Sequence, residues 1–286
     1  MLDHLRTLRL ATWLGWQLET NWASPWLFAL YMLIKPVCGS LMLVCMFYAA
    51  RSATGGRVPA EFLPYLYVSN ACYGLVGSVM FGLSYAVVRD REHYGMLKYI
   101  YISPAHFQTY FLGRGAARGL EGTVGGVLNV GVGLFLFAEL QASVEVDVPW
   151  LLVYMLIGSA MLWACGMMLA AACLNMSRNG MFLSEGIAGI AYLLSGVVFP
   201  LKALPEWVQP ISLILPTTYW LEGMRRSLMG PLPSQLGSPL TDWSNGKLAL
   251  ILLATTVGLV VIAQLFWRWS ERRAWRNGKL EENTGV

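Results

Sequence analysis

The sequence predicts an all-α membrane protein with six transmembrane helices, and three observations carry that prediction. Of 286 residues, 56% are hydrophobic and only 13% charged, about half the charge of an ordinary soluble domain. Mean hydropathy is +0.53. The apolar residues fall in continuous runs of about 20, the length a helix needs to cross hydrocarbon. These runs are rich in Leu, Gly and Ala and do not alternate, which favours helices over the ten-residue strands of a barrel. The same composition excludes a disordered chain. A formal net charge of only +4, with the basic residues scattered between apolar runs, also speaks against a nucleic-acid binder.

The whole chain, 1–286, reads as one transmembrane domain. Residues 2–22 carry no convincing signal peptide, because Arg9, Thr12 and Gln17 interrupt the apolar stretch. Leu2, Leu5, Leu8, Trp13 and Trp16 suit a helix lying in the membrane interface, with Arg6 and Arg9 toward headgroups. Spans are expected at 26–50, 63–88, 113–138, 149–174 and 247–268. A shorter sixth, 181–200, ends at Phe199-Pro200. The third span is dense in glycine, and Gly115/Gly119 and Gly122/Gly126 have the spacing that lets helices approach closely, within the subunit or between subunits.

Six spans put both ends on one side. With the ends inside, thirteen lysines and arginines are cytoplasmic and six external, while the loop 139–148 holds Glu139, Glu145, Asp147 and no basic residue. The positive-inside rule therefore predicts cytoplasmic termini. Cys38, Cys45, Cys72, Cys165 and Cys173 all fall within spans and form no CxxC pair, so they read as packing residues.

Catalytic patterns are missing. His4, His93 and His106 lack metal-ligand spacing. There is no GxSxG and no phosphate-binding GxxxxGK[ST] loop, so the chain is not expected to be an enzyme or to carry a cofactor of its own. Ionisable residues near or within spans are Lys35, Glu121 and Glu185, the candidates for a substrate pathway.

Two loops stand out. Residues 89–104 begin with charge (Arg89, Asp90, Arg91, Glu92), pass through Gly95, Met96, Leu97 and Lys98, and close at Ser103-Pro104. This pattern suits a short cytoplasmic helix along the membrane, acting as a solvated connector or a protein-docking surface. Residues 201–246 are external and divided by Pro205, Pro210 and Pro216 into pieces too short to span. They predict a helical hairpin re-entering the outer leaflet, followed by a turn-rich connector. Glu222, Arg225 and Arg226 share one helix face and would supply a polar surface near an exit.

These loops carry a resemblance to the permeases of the ABC type-2 exporter superfamily, over nearly the whole chain. Arg91-Glu92-His93-Tyr94-Gly95-Met96-Leu97, followed by Ser103-Pro104, resembles the family's coupling helix, with Met96 where Thr is frequent and Lys98 where Glu is frequent. Ser195-Gly196-Val197-Val198-Phe199-Pro200, Ala203-Leu204-Pro205, Trp207 and Pro216-Thr217-Thr218-Tyr219 resemble its hallmark around the fifth span. The resemblance implies a permease dimer, of two identical or two paralogous chains, in the cytoplasmic membrane of a bacterium or archaeon. Each permease would bind one cytosolic ATPase subunit, two copies in all, which carries the ATP and magnesium. Arg89, Asp90, Arg91, Glu92, Gly95, Met96, Leu97, Lys98, Ser103 and Pro104 would couple to that ATPase. Phe199, Pro200, Leu204, Pro205, Trp207, Ile214, Pro216, Tyr219, Glu222, Arg225 and Arg226 would form an external gate for an amphipathic drug, lipid or lipid-linked glycan. An ion-coupled secondary carrier is the alternative, though no half-to-half repeat is evident. A membrane-embedded enzyme is the remaining rival.

Overall fold

The computed structural model describes residues 2–21, 24–176, 179–230 and 238–280. Arg178, expected to be cytoplasmic, and residues 231–237 of the connector lie outside the described residues. Helix α1 (Leu2–Thr20) is followed by α2 (Pro25–Ala53), which starts at Ser24-Pro25 with proline in its first turn, where the missing N–H has no intrahelical role. Helix α3 (Phe62–His93) contains two π-helical stretches, Gly77–Phe81 and Arg89–His93. Then come the short α4 (Leu97–Ile102), the long α5 (Phe107–Leu136), the short α6 (Ala138–Ser143) and α7 (Val148–Asn175). Asp147 caps α7 by accepting from the Trp150 amide at 3.3 Å. Helices α8 (Gly180–Leu194), α9 (Gln209–Ile214), α10 (Pro216–Met229) and α11 (Asn245–Arg276) complete the chain. No regular strand occurs among the described residues.

Five helices, α2, α3, α5, α7 and α11, are long and apolar enough to cross a membrane. Helix α3 is the central post, with nearly every residue of Leu63–Val76 buried, and it touches α2, α5, α7, α8 and α10. Helix α11 lies along α7, and α1 lies along α5. Where α1 meets α5, a Cβ on Gly113 would fall 2.6 Å from that of Ala11. Across α3, a Cβ on Gly115 would meet Leu83 and one on Gly122 would meet Ser78. The glycine-dense span therefore packs inside the subunit.

The expected sixth span differs in form. Its helix covers only the 15 residues of α8, about 22 Å at the α-helical rise, short of the roughly 30 Å hydrocarbon core. Gly196, at φ +74°, then turns the chain back, so Ser195–Pro200 is not helical. The apolar run goes on to Phe199, but hydropathy does not register a left-handed residue. Of the expected hairpin, Thr217–Ser227 of α10 is buried throughout, wedged among α3, α7 and α11.

Candidate functional site

Three polar assemblies occupy the bundle: one at the end bearing α4, one at the hairpin end and one between them. At the α4 end, the tip of α3 is braced on all sides. Asp90 is fully buried, accepting from the Tyr110 hydroxyl at 2.8 Å and pairing with Arg114 at 3.5 Å. Arg91, also buried, reaches the Cys173 and Met176 carbonyls at the end of α7, at 3.0 and 3.4 Å, and pairs with Glu92 at 2.9 Å. Arg89 pairs with Glu19 of α1, which also holds Arg118 at 2.9 Å, and Arg118 in turn holds Glu121 at 3.0 Å.

The chain then turns at Gly95, at φ +57°, and the Met96 amide bonds back to the Asp90 carbonyl at 2.9 Å. A side chain is disfavoured at that dihedral. Leu97 is buried and pins α4, while Met96 and Lys98 are half-buried. Ser103 closes the helix by donating to the Ile100 carbonyl at 2.7 Å, and Pro104 follows on the surface. His93, Tyr94, Tyr99 and Ile102 point outward, Ile102 at 77% exposure. The expected docking segment thus divides. Its charged front, Arg89 to Arg91, is consumed by internal pairs, and its accessible face is aromatic and aliphatic.

At the hairpin end the centre is Arg225, with no exposed surface. It donates to Glu222 at 2.9 Å, to Ser69 at 3.1 Å and to the Gly196 carbonyl at 3.0 Å, and it stacks on Tyr65 with its guanidinium 4.7 Å from the ring centre. Tyr65 donates to the same Gly196 carbonyl at 2.7 Å. Arg226 donates to Glu222 at 3.1 Å and to the Leu240 and Trp243 carbonyls, which ties the connector down. Burial opposes the charge of Arg225, but Tyr65 and Glu222 hold its guanidinium above its ordinary value, so it stays protonated.

The hydroxyls around Pro216 close the hairpin on itself. Thr218 donates to the Ser212 carbonyl at 2.6 Å, Tyr219 donates to the Leu213 carbonyl at 2.8 Å, and Thr217 meets Ser195 at 2.6 Å. Glu222, Arg225 and Arg226 therefore do not form the expected exit-facing polar surface. Their charges are offset inside the bundle by each other and by the Ser69, Gly196, Leu240 and Trp243 acceptors. Much of the surface at this end is apolar instead, beside the exposed Lys202 and Glu206. Trp207 and Ile214 are 74% and 76% exposed, Phe199 and Pro205 also face outward, Leu204 and Pro216 are half-buried, and Pro200 and Tyr219 are buried.

Between the two ends runs a chain of neutral polar side chains. Tyr67 donates to Asn129 at 3.0 Å, Asn129 and Asn70 both donate to Ser40, at 2.8 and 2.9 Å, and Tyr192 donates to Asn70 at 2.9 Å. It links α5, α2, α3 and α8. The three pathway candidates are not brought together. Lys35 lies on the surface of α2 with its ammonium 5.9 Å from the Tyr31 ring centre, Glu121 is paired with Arg118, and Glu185 lies on the surface of α8. Sequence reasoning did not single out Tyr65, Ser69, Asn70, Asn129 or Tyr110. They are uncharged and belong to hydropathic segments, and their partners lie 20 to 156 residues away in sequence.

Comparison with known proteins gives a consistent result. The sequence model of the family described as "ABC-2 type transporter" matches residues 8–229. The chain is 21% identical over 244 residues to the "Probable doxorubicin resistance ABC transporter permease protein DrrC" from each of two strains of Mycobacterium tuberculosis, an overlap covering 85% of this chain and 85% of each relative.

Proposed function

The chain belongs to the ABC-2 type transporter family, and on that premise we propose that it is the permease of an ATP-driven exporter. As a permease it is not itself an enzyme; ATP, with its magnesium, is consumed on a separate cytosolic ATPase subunit. The observation that carries this reading is the contrast at the α4 end. Asp90 and Arg91 lock the tip of α3 to α5 and α7, while Tyr94, Tyr99 and Ile102 present an apolar surface beyond it. A push on that surface passes into three helices without being absorbed by a soft joint. In this reading α4 is the coupling helix, and its end of the bundle is cytoplasmic.

Transport then follows from population shift: the ATPase pair prefers one permease conformation when closed on ATP, and that preference moves the spans. Two permeases act together, and α8, though short, makes the sixth crossing, with the segment after Gly196 folded back at its outer end. The outward apolar edge of the hairpin, Phe199, Trp207 and Ile214, caps the external end of a path between the two permeases. Lys35 and Glu185, both on outer faces of the subunit, are positioned to meet the polar part of a substrate whose remainder is apolar. The doxorubicin resistance named for the relatives is in keeping with an amphipathic drug or lipid as cargo.

Co-purification with a cytosolic ABC ATPase, followed by transport in proteoliposomes, tests the proposal. ATP-dependent export that stops when Tyr99→Ala and Ile102→Ser are combined supports it. Transport driven by an ion gradient in the absence of the ATPase would replace it with a secondary carrier.

A further inference from the structure

The last two turns of α11 carry Arg268, Arg272, Arg273 and Arg276 around an open groove of about 750 Å³, with Leu265 and Trp269 at its upper edge. Arg268, Arg272, Arg273 and Arg276 are exposed, and none has a carboxylate within ion-pair distance among the described residues. Arg273 rests on Trp269, its guanidinium 5.1 Å from the ring centre. The neighbouring carboxylate, Glu271, is half-buried on another side of the helix and interacts with Arg272 among the four. Four positive charges this close, with one carboxylate beside them, repel each other unless a further anion joins them.

The face has a second half. At helical spacing, Leu250, Val257, Val261 and Leu265 lie in line with Arg272 and Arg276, and all four are exposed. One continuous strip is therefore aliphatic over its length in the membrane and cationic where it leaves. Trp269 marks the boundary, where an indole prefers to sit. Three of the carbonyls at the helix end are already taken, since the Asn277, Gly278 and Lys279 amides bond to the Arg273, Trp275 and Ala274 carbonyls at 2.9–3.2 Å, so an anion there meets the arginine side chains first.

We propose that this strip binds an anionic phospholipid of the cytoplasmic leaflet, its phosphate among Arg268, Arg272 and Arg276 and its acyl chains along Leu265, Val261 and Val257. A phosphate accepts paired guanidinium N–H groups, and the aliphatic strip excludes a headgroup without chains. The choice of leaflet rests on the permease reading, which makes this end cytoplasmic; binding itself does not.

Native mass spectrometry of the delipidated full chain, titrated with phosphatidylglycerol, phosphatidylcholine or inorganic phosphate, tests the site. The wild-type chain should retain phosphatidylglycerol in preference to phosphatidylcholine. Arg268→Gln, Arg272→Gln and Arg276→Gln should lower that preference by roughly fivefold per arginine removed. The corresponding lysine substitutions should keep most of it. All three side chains are at the surface, so the unfolding temperature in detergent should not change, and measuring it guards against a folding artefact.

An unchanged preference in the triple glutamine variant overturns the proposal. So does inorganic phosphate binding as well as the lipid, which would make the groove a simple anion site. So does loss of ATPase co-purification in that variant with lipid preference intact, which would make it a partner contact. The titration needs neither ATPase nor substrate, so its failure leaves the export reading standing. Failure of ATPase co-purification by the wild-type chain leaves the lipid site standing and removes only its leaflet.

Discussion

Gly158 and Gly223 sit opposite the two largest side chains of the α7–α10 contact. A Cβ on Gly158 would fall 2.0 Å from the Trp220 indole nitrogen, and one on Gly223 would fall 2.4 Å from the Tyr154 ring. Trp220 donates its indole N–H to the Tyr154 carbonyl and the Tyr154 hydroxyl donates to the Asn245 carbonyl, each at 3.0 Å, so neither ring can step aside without losing a bond. Gly158→Val should therefore cost at least the 1–3 kcal/mol typical of overpacking, approximately. It should show as a lower unfolding temperature in detergent, whereas Gly186→Ala, with nothing within 4 Å, should be neutral or slightly stabilising. Arg225 is the second critical residue. Removing one partner of a buried pair strands the other, at roughly 3–5 kcal/mol. Arg225→Met should lose about that much in chemical denaturation, and so should Glu222→Gln, which strands two arginines. A loss below about 1 kcal/mol in both would mean the cluster is solvated and not structural. The glycines and the charged triplet are visible in the sequence. Their partners are not, because Tyr65 and Gly196 lie 131 residues apart and only the fold makes them share one guanidinium.

At the scale of elements, α4 and the hairpin differ in how they are held. Helix α4 has six residues, too few to persist alone in water. It is kept by Leu97 on one side and by the Gly95 turn on the other. Gly95→Val forces a β-branched residue into a left-handed dihedral, and Glu92→Ala removes a partner of Arg91. Both are expected to lower transport and substrate-stimulated ATPase activity several-fold while leaving membrane insertion normal. Normal transport in both would reduce α4 to a connector. The hairpin is anchored by α10, to which α9 is tied at the Ser212 and Leu213 carbonyls, while Ile211 and Ile214 of α9 stay exposed. Crosslinking Trp207→Cys between two permeases is expected to block export without affecting nucleotide binding, and full export with the link closed would leave the hairpin a static cap. Hydropathy made the five long helices legible, and charge marked the segment before α4. What it could not convey was the depth of α10. Its Glu222, Arg225 and Arg226 give it a polar sequence, and burial of a helix with three charges follows only from their mutual pairing.

For the whole molecule, the first question is orientation. A single cysteine at Ser143, in a background without the native cysteines, should be labelled from outside the cell, and one at Tyr99 should not; the reverse pattern would invert the topology. The acidic loop beside α6 and the arginines of α11 underlie that expectation, and the helices between them set how movement is shared. Lipid is as apolar as these side chains, so the hydrogen bonds between helices act beside packing in place of a hydrophobic drive. The position of each such tie matters. Ser40 accepts from Asn129 on one side and from Asn70 on the other, through a single oxygen. It stands near the middle of α2, about 22 Å from the first residue and 20 Å from the last. One turn earlier Pro36 interrupts the helix ladder, leaving the Met32 carbonyl facing Gly125. Helix α2 is thus clamped over one half, where Ser40, Leu43, Val44 and Phe47 are all buried, and has no buried residue before Pro36. A stiff arm joined at a proline to a fixed stem is a hinged flap: the stretch ahead of Pro36 can tilt while the rest keeps its place.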